Sequence, residues 1–269
     1  MKLNKYIVSG IVLIQTAFFL TAQVTNSLTL EQLFRMAISE KQTEAGFAME
    51  TIKRIGPATI PFLMQKLEHP LEPGAVNIQG LVTYWKTNST PWLIQSYSMT
   101  TNQRVRRAIV FYMGLIRDPL AGATARKELA DDRNRSTALW TLGRCGITQS
   151  LEYAYLYLHS TQQMDRVRSI GIIRRVGGTH DLETLAAALN DQAWNVRSAA
   201  AQALYERESA GCSVLTGQWS RLSTAAKIHA LSIISEVTNF YSAEVLKVYA
   251  SDTNSCVAAQ AERLLKNKN

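Results

Sequence analysis

The side chains able to do chemistry are few and scattered. Four histidines occur, His69, His159, His180 and His229, and no two lie within one helical turn. No His-Glu-x-x-His pair is present, so a helix-borne metal site has no anchor. The three cysteines, Cys145, Cys212 and Cys256, are too few for a four-cysteine zinc module and allow at most one disulfide. Each reads as a small buried apolar residue. Adjacent carboxylates stand at Asp131-Asp132 beside Arg133, which is a solvated turn rather than a general acid and base. There is no Gly-x-Ser-x-Gly, no P-loop and no Gly-x-Gly-x-x-Gly, and Gly177-Gly178 reads as a helix-ending signal. The sequence therefore points to no catalytic residue, no cofactor site and no metal ligand. A non-enzymatic protein is the expectation.

What remains is arginine. Arg104, Arg106 and Arg107 form one group, and Arg133, Arg135 and Arg144 the next. Arg166, Arg168, Arg174 and Arg175 follow, then Arg197 and Arg207, against the single acid Glu206 in the same segments. The acids gather between these segments, at Asp118, Glu128, Asp181, Glu183 and Asp191 among others. Arginine's planar fork matches carboxylate and phosphate, so the pattern suits an anionic partner. The candidate contact residues are Arg104, Arg107, Arg135, Arg168, Arg174 and Arg175, with Trp140 and Trp194 beside them. A structural role competes with this. Arg106, Arg135, Arg168 and Arg197 recur at one position and can hydrogen-bond turn carbonyls between repeats. The other arginines can form a solvated face, and tryptophans at helical spacing can be core.

Stepping from side chains to the elements that hold them, one motif recurs: Val-Arg or a near relative, then small and aliphatic residues. Its second position falls at Ala48, Asn77, Arg106, Arg135, Arg168, Arg197, Lys227 and Ala258, in steps of 29, 29, 29, 33, 29, 30 and 31 residues. One period can be read from Asp181 to Glu208. Leu182, Leu185, Ala186 and Leu189 share a helical face; Asn190-Asp191 is a turn and cap; Val196, Ala199, Ala200, Ala203 and Leu204 mark a second helix. Such a hairpin cannot bury its own apolar face, whereas stacked hairpins can. The expected fold is all-α, an α-solenoid of about eight stacked helical hairpins over residues 23–269. Thr29 or Ser27 caps its first helix, which buries Leu30, Leu33, Phe34 and Ala37. Segments 68–75 and 88–101 are expected to break the regularity.

The stretch Leu185–Leu204, with Asp191, Val196-Arg197 and Ala199-Ala200, resembles a HEAT repeat of the short type named after phycobilisome lyases. Ile55-Gly56-Pro57 with Ile60-Pro61-Phe62-Leu63 and Leu67 is similar to the outer helix of such a unit. The resemblance spans about Leu28 to Lys266. It implies a HEAT-like superhelix whose second helices line the concave face, and hence a basic inner surface. That fold serves many roles, so the function has to come from its surface. The HEAT-repeat hydroxylase of translation factors is marked by His-Glu pairs, and this chain has none. DNA glycosylases built from HEAT-like repeats remain as an alternative, a nucleic-acid-binding enzyme, though their catalytic residues find no match here. A pigment lyase is supported by the repeat type alone.

The N-terminus reads as an address. Lys2 and Lys5 precede an apolar run from Tyr6 to Ala22 that contains Ser9, Gly10, Gln15 and Thr16. It suits a signal peptide cut after Ala22 better than a membrane span, which needs about 20 apolar residues. An uncleaved anchor over residues 6–22 is the alternative. Composition fits a folded chain: 46% apolar and 19% charged residues exclude disorder, and a net charge of +8 favours anionic partners. The combined expectation is a periplasmic or secreted scaffold for a protein partner or an anionic polymer of the cell envelope, with nucleic acid disfavoured.

Overall fold

The computed structural model describes residues 28–68, 74–237 and 242–267. The expected leader and His69 fall outside them. The fold is an all-α solenoid of helical hairpins; sixteen α-helices and no strand occur among the described residues. Two compact units divide the chain, Met1–Lys127 and Glu128–Asn269.

The first unit opens with α1 (Leu30–Ala37), which Thr29 caps in a reciprocal box with Gln32. Leu33, Phe34 and Ala37 are buried, as the helical spacing predicts. Then come α2 (Gln42–Ile55), α3 (Ile60–Lys66), α4 (Ala75–Tyr84), α5 (Thr90–Met99), α6 (Gln103–Ile116) and α7 (Gly122–Lys127). Second helices pack on second helices, α2 on α4 and α4 on α6, and α3 packs on α5. The buried faces follow: Ile52, Leu81, Val82, Ile109 and Met113 on the second helices, Ile60, Leu63 and Leu93 on the first. The region 88–101 is not an irregular insertion. It contains α5, an ordinary first helix with Pro91 in its first turn, where the missing N–H costs nothing. Its aromatic residues obscured the pattern because Tyr97 is core, whereas Met99 is exposed.

The second unit contains α8 (Arg135–Arg144), α9 (Leu151–Tyr157), α10 (Gln163–Val176), α11 (Leu182–Ala188), α12 (Trp194–Tyr205), α13 (Glu208–Gly217), α14 (Thr224–Glu236), α15 (Ser242–Tyr249) and α16 (Ser255–Lys266). The second helices α8, α10, α12, α14 and α16 form a continuous row of neighbours. Small residues allow the close approach: Ala138, Ala200, Ala203, Ala230 and Ala261 are all fully buried. The anchor positions read from sequence all fall on second helices, from Ala48 on α2 to Ala258 on α16. Cys145 and Cys212 are buried, and burial pushes the Cys212 thiol up to about 11. Cys256 departs from expectation: it is exposed in the first turn of α16, whose buried face is carried by Val257 and Ala261.

Candidate functional site

The second helices carry two rows of cations with different surroundings. The inner row is the ladder. Arg106 Nε donates to the Thr100 carbonyl, Arg135 Nε to Leu129, Arg166 Nη1 to Ser160 and Arg197 Nη1 to Asp191, each six residues back. These carbonyls end the turn between the paired helices and have no helical partner of their own. Arg166, not Arg168, is therefore the ladder arginine of α10. It is the fourth residue of its helix, as Arg106, Arg197 and Lys227 are of theirs. The Val167-Arg168 pair mimics the motif of Val105-Arg106 but sits two residues too late. With Arg166 in register, the uneven steps of 33 and 29 become 31 and 31.

The ladder also bridges neighbouring second helices. Arg166 Nε and Nη2 grip the two oxygens of Asp191 at 2.7 and 2.8 Å, with only 8% of the arginine side chain exposed. Arg135 reaches Asp132 and, at 3.4 Å, the fully buried Asp165. Burial opposes the Arg135 charge, but these carboxylates outweigh it and hold its pKa above the ordinary value. Lys227 Nζ meets Asp252 Oδ2 at 2.9 Å, where Trp219 Nε1 also donates. Backbone and side-chain donors, the Asn254 N–H first among them, bring Asp252 down to about 2. Arg197 has no such acid ahead of it. The equivalent position of the next hairpin, six before Lys227, is Arg221.

The outer row is different. Arg104 and Arg107 are exposed on α6. On α10, Arg174 and Arg175 are exposed, and Arg174 Nε pairs with Glu206 Oε2 at 3.0 Å. Arg207 Nη2 closes the end of α10 by donating to the Arg174 and Gly177 carbonyls. Arg168 is half-buried; burial lowers its pKa, and its Nε finds no hydrogen-bond partner among the described residues. Trp140 is half-buried beneath the Arg144 guanidinium, 5.4 Å from ring centre to Cζ. Trp194 is 62% exposed at the start of α12. Two contacts fix the register of α8 against α10: Arg135 meets Asp165, and Gly143 lies against Ile172, where a Cβ would come within 3.2 Å. The helices therefore run parallel. Sequence reasoning named Arg168, Arg175 and Trp140 as candidates but passed over Arg144, whose signal was its place four residues after a tryptophan.

Other chemistry-bearing groups are structural. Tyr155 donates its hydroxyl to buried Asp181, whose other oxygen accepts the Gly178 N–H; the bond to Asp181 pushes the phenol up to about 12. Tyr157 donates to the Leu129 carbonyl. Both hydroxyls are therefore engaged, although Tyr155 is exposed. His229 is half-buried on α14, and desolvation with the nearby Arg197 charge lowers its pKa. Among the described residues no cluster of His, Cys, Asp or Glu could hold a metal ion, and no helix is long and apolar enough to cross a membrane. Two surface depressions, of about 370 Å³ beside Phe62 and Lys66 and about 300 Å³ beside Asn190 and Arg221, include none of the candidate arginines.

A protein-family model described as HEAT repeat matches residues 182–206, which are α11, its turn and α12. Residues 182–206 are a HEAT repeat. In this HEAT repeat Asp191 closes the turn and Arg197 binds its carbonyl, so the motif residues perform the ladder role. No curated protein matches the chain. Among solved structures, the complex of CpcE and CpcF of phycocyanin lyase from Nostoc sp. PCC7120 is similar over 91% of this chain and 97% of that one, at 17% identity and a TM-score of 0.43. Human deoxyhypusine hydroxylase in complex with glycerol is similar over 88% of this chain and 94% of its own, at 15% identity and a TM-score of 0.34.

Proposed function

We propose that the protein is a non-catalytic binding scaffold that receives an anionic protein segment or polymer on exposed arginines of its second helices. The observation that carries this reading is the division of labour among the arginines. The ladder consumes Arg106, Arg135, Arg166 and Arg197, while Arg104 and Arg175 stay at the surface. A repeat stack offers a long contact surface and no enclosed reaction cavity. The proposed chemistry of the site is recognition by charge. Export belongs to the same proposal and is supported by Lys2, Lys5 and the apolar run to Ala22. An intact-mass measurement of the native protein checks it: a chain beginning at Gln23 outside the cytoplasm is expected, and a full-length cytoplasmic chain overturns it.

The binding test uses charge reversal at residues outside the ladder. Arg104→Glu and Arg175→Glu should each weaken binding of a labelled polyglutamate chain at least tenfold at moderate salt, with an unchanged melting temperature. Equal binding by the variants and the parent would remove the reading. Duplex DNA is the second probe. Tighter, salt-steep binding to DNA with base release would favour the nucleic-acid enzyme instead.

A further inference from the structure

The outer row of the second unit changes sign along its length. Register fixed by the ladder places Arg144, Arg175, Glu206 and Glu236 at equivalent sites near the C-terminal ends of α8, α10, α12 and α14, in steps of 31, 31 and 30 residues. Arg175, Glu206 and Glu236 are exposed, and Arg144 is half-buried over Trp140. Arg174 and Gln202 hold one Glu206 oxygen each, at 3.0 and 3.1 Å, so the α12 position is an internally neutralised pair. A basic end therefore faces an acidic end across a neutral divider.

The helix dipole makes the two ends unequal. Arginine in a last turn is what the partial negative charge of a helix C-terminus favours, so Arg144 and Arg175 have a structural reason to be there. Glu236 is the last residue of α14, whose final turn carries no basic residue. A carboxylate there opposes the dipole at a cost of about 0.3–1 kcal/mol, and no hydrogen bond or ion pair among the described residues explains it. The cost is explained if Glu236 meets a cation from outside.

We infer that the scaffold takes a bipolar extended polypeptide, with an acidic side chain at Arg144 and Arg175 and a basic side chain at Glu236. This deepens the proposed scaffold function and rests on it. Neighbouring second helices lie about 10 Å apart, so Arg175 and Glu236 are separated by about 20 Å. An extended chain covers that span in roughly six residues. Exposed Gly171 leaves open space above α10 for the chain to cross.

The test compares two labelled peptides on the full-length protein by fluorescence anisotropy. One has paired aspartates and paired lysines about six residues apart; the other carries aspartates at both places. The bipolar peptide should bind at least fivefold more tightly. Glu236→Lys should invert the preference, weakening the bipolar peptide and strengthening the acidic one. The substitution suits the helix end, so it leaves the fold intact. If Glu236→Lys tightens both peptides, or if the acidic peptide already binds more tightly to the parent, the bipolar inference is overturned while an anion-binding scaffold survives. If neither peptide nor polyglutamate binds, the scaffold reading falls as well.

Discussion

Arg166 and Arg168 stand two residues apart on one helix and have opposite environments. Arg166 is enclosed by Asp191 and the Ser160 carbonyl, and the bonds to Asp191 raise its pKa despite burial. Arg168 shares the helix and is half-buried, but it lacks the carboxylate, and burial lowers its pKa. The same contrast recurs within the second unit. The inner arginines all reach the turn of their own hairpin, and Arg135 and Arg166 also reach an acid of the next; Arg175 is exposed, Arg144 lies over Trp140, and Arg174 pairs with Glu206. An arginine's role here is fixed by which side of a helix turn it leaves, an angle of about 100° per residue. The inner row builds the stack, and the outer row is where the proposed partner would bind.

The sharpest way to break that comparison is to remove one member of each row. Arg166→Ala leaves Asp191 partly buried without its bidentate partner and frees the Ser160 carbonyl. A loss of about 3–5 kcal/mol in unfolding free energy is expected. Arg175→Ala should change stability by no more than about 0.5 kcal/mol. Urea unfolding followed by circular dichroism measures both. Similar losses from the two variants would mean that the rows are not distinct.

Acid titration tests the ladder without mutating its cations. Asp252 titrates near 2 in the folded protein against an ordinary 3.8. Between those values the unfolded chain binds more protons than the folded one, so stability rises with pH across that window. The contribution is complete above about pH 4 and is lost as pH falls toward 2, on the order of 2 kcal/mol. Asp191, lowered first by its bonds to Arg166, acts in the same direction. Asp252→Asn should flatten the acid limb of the stability curve and leave its neutral limb parallel to the parent's. An unchanged acid limb would show that Lys227 and Trp219 do not hold Asp252 ionised.

How much of this could be read from the chain alone follows from the same geometry. The hairpins were legible because burial imposes a helical period, and Leu182, Leu185, Val196 and Ala200 satisfy it. The ladder's existence was legible too, but its register in α10 was not. A dipeptide such as Val167-Arg168 records composition, whereas the ladder requires a guanidinium six residues after the turn carbonyl it binds, and the position of the turn before α10 is not written in the motif. Helix α5 was missed because proline and aromatic residues resemble a loop when their burial is unseen. The sign change toward Glu236 was invisible for a third reason: it depends on matching positions three hairpins apart. A one-residue error in any turn would move Glu236 off the row.

Two glycines sharpen the comparison at its smallest scale. Gly143 lies on the inner side of α8, where an added Cβ would stand 3.2 Å from Ile172 Cγ1 and 3.5 Å from its Cα. Ile172 is fully buried, so it has little room to yield. Gly171 lies on the outer side of α10 with no atom within 4 Å of such a Cβ. Both are inside helices, where alanine is intrinsically favoured over glycine by about 0.5–1 kcal/mol. Gly171→Ala should realise that gain and raise the melting temperature. Gly143→Ala should lose it to crowding between α8 and α10, since overfilling a packed contact costs about 1–3 kcal/mol. The two single variants, measured in the same urea series, should therefore move in opposite directions. If both stabilise, α8 and α10 can separate by a few tenths of an ångström at little cost, and the inner row owes its rigidity to the Arg–Asp rungs alone.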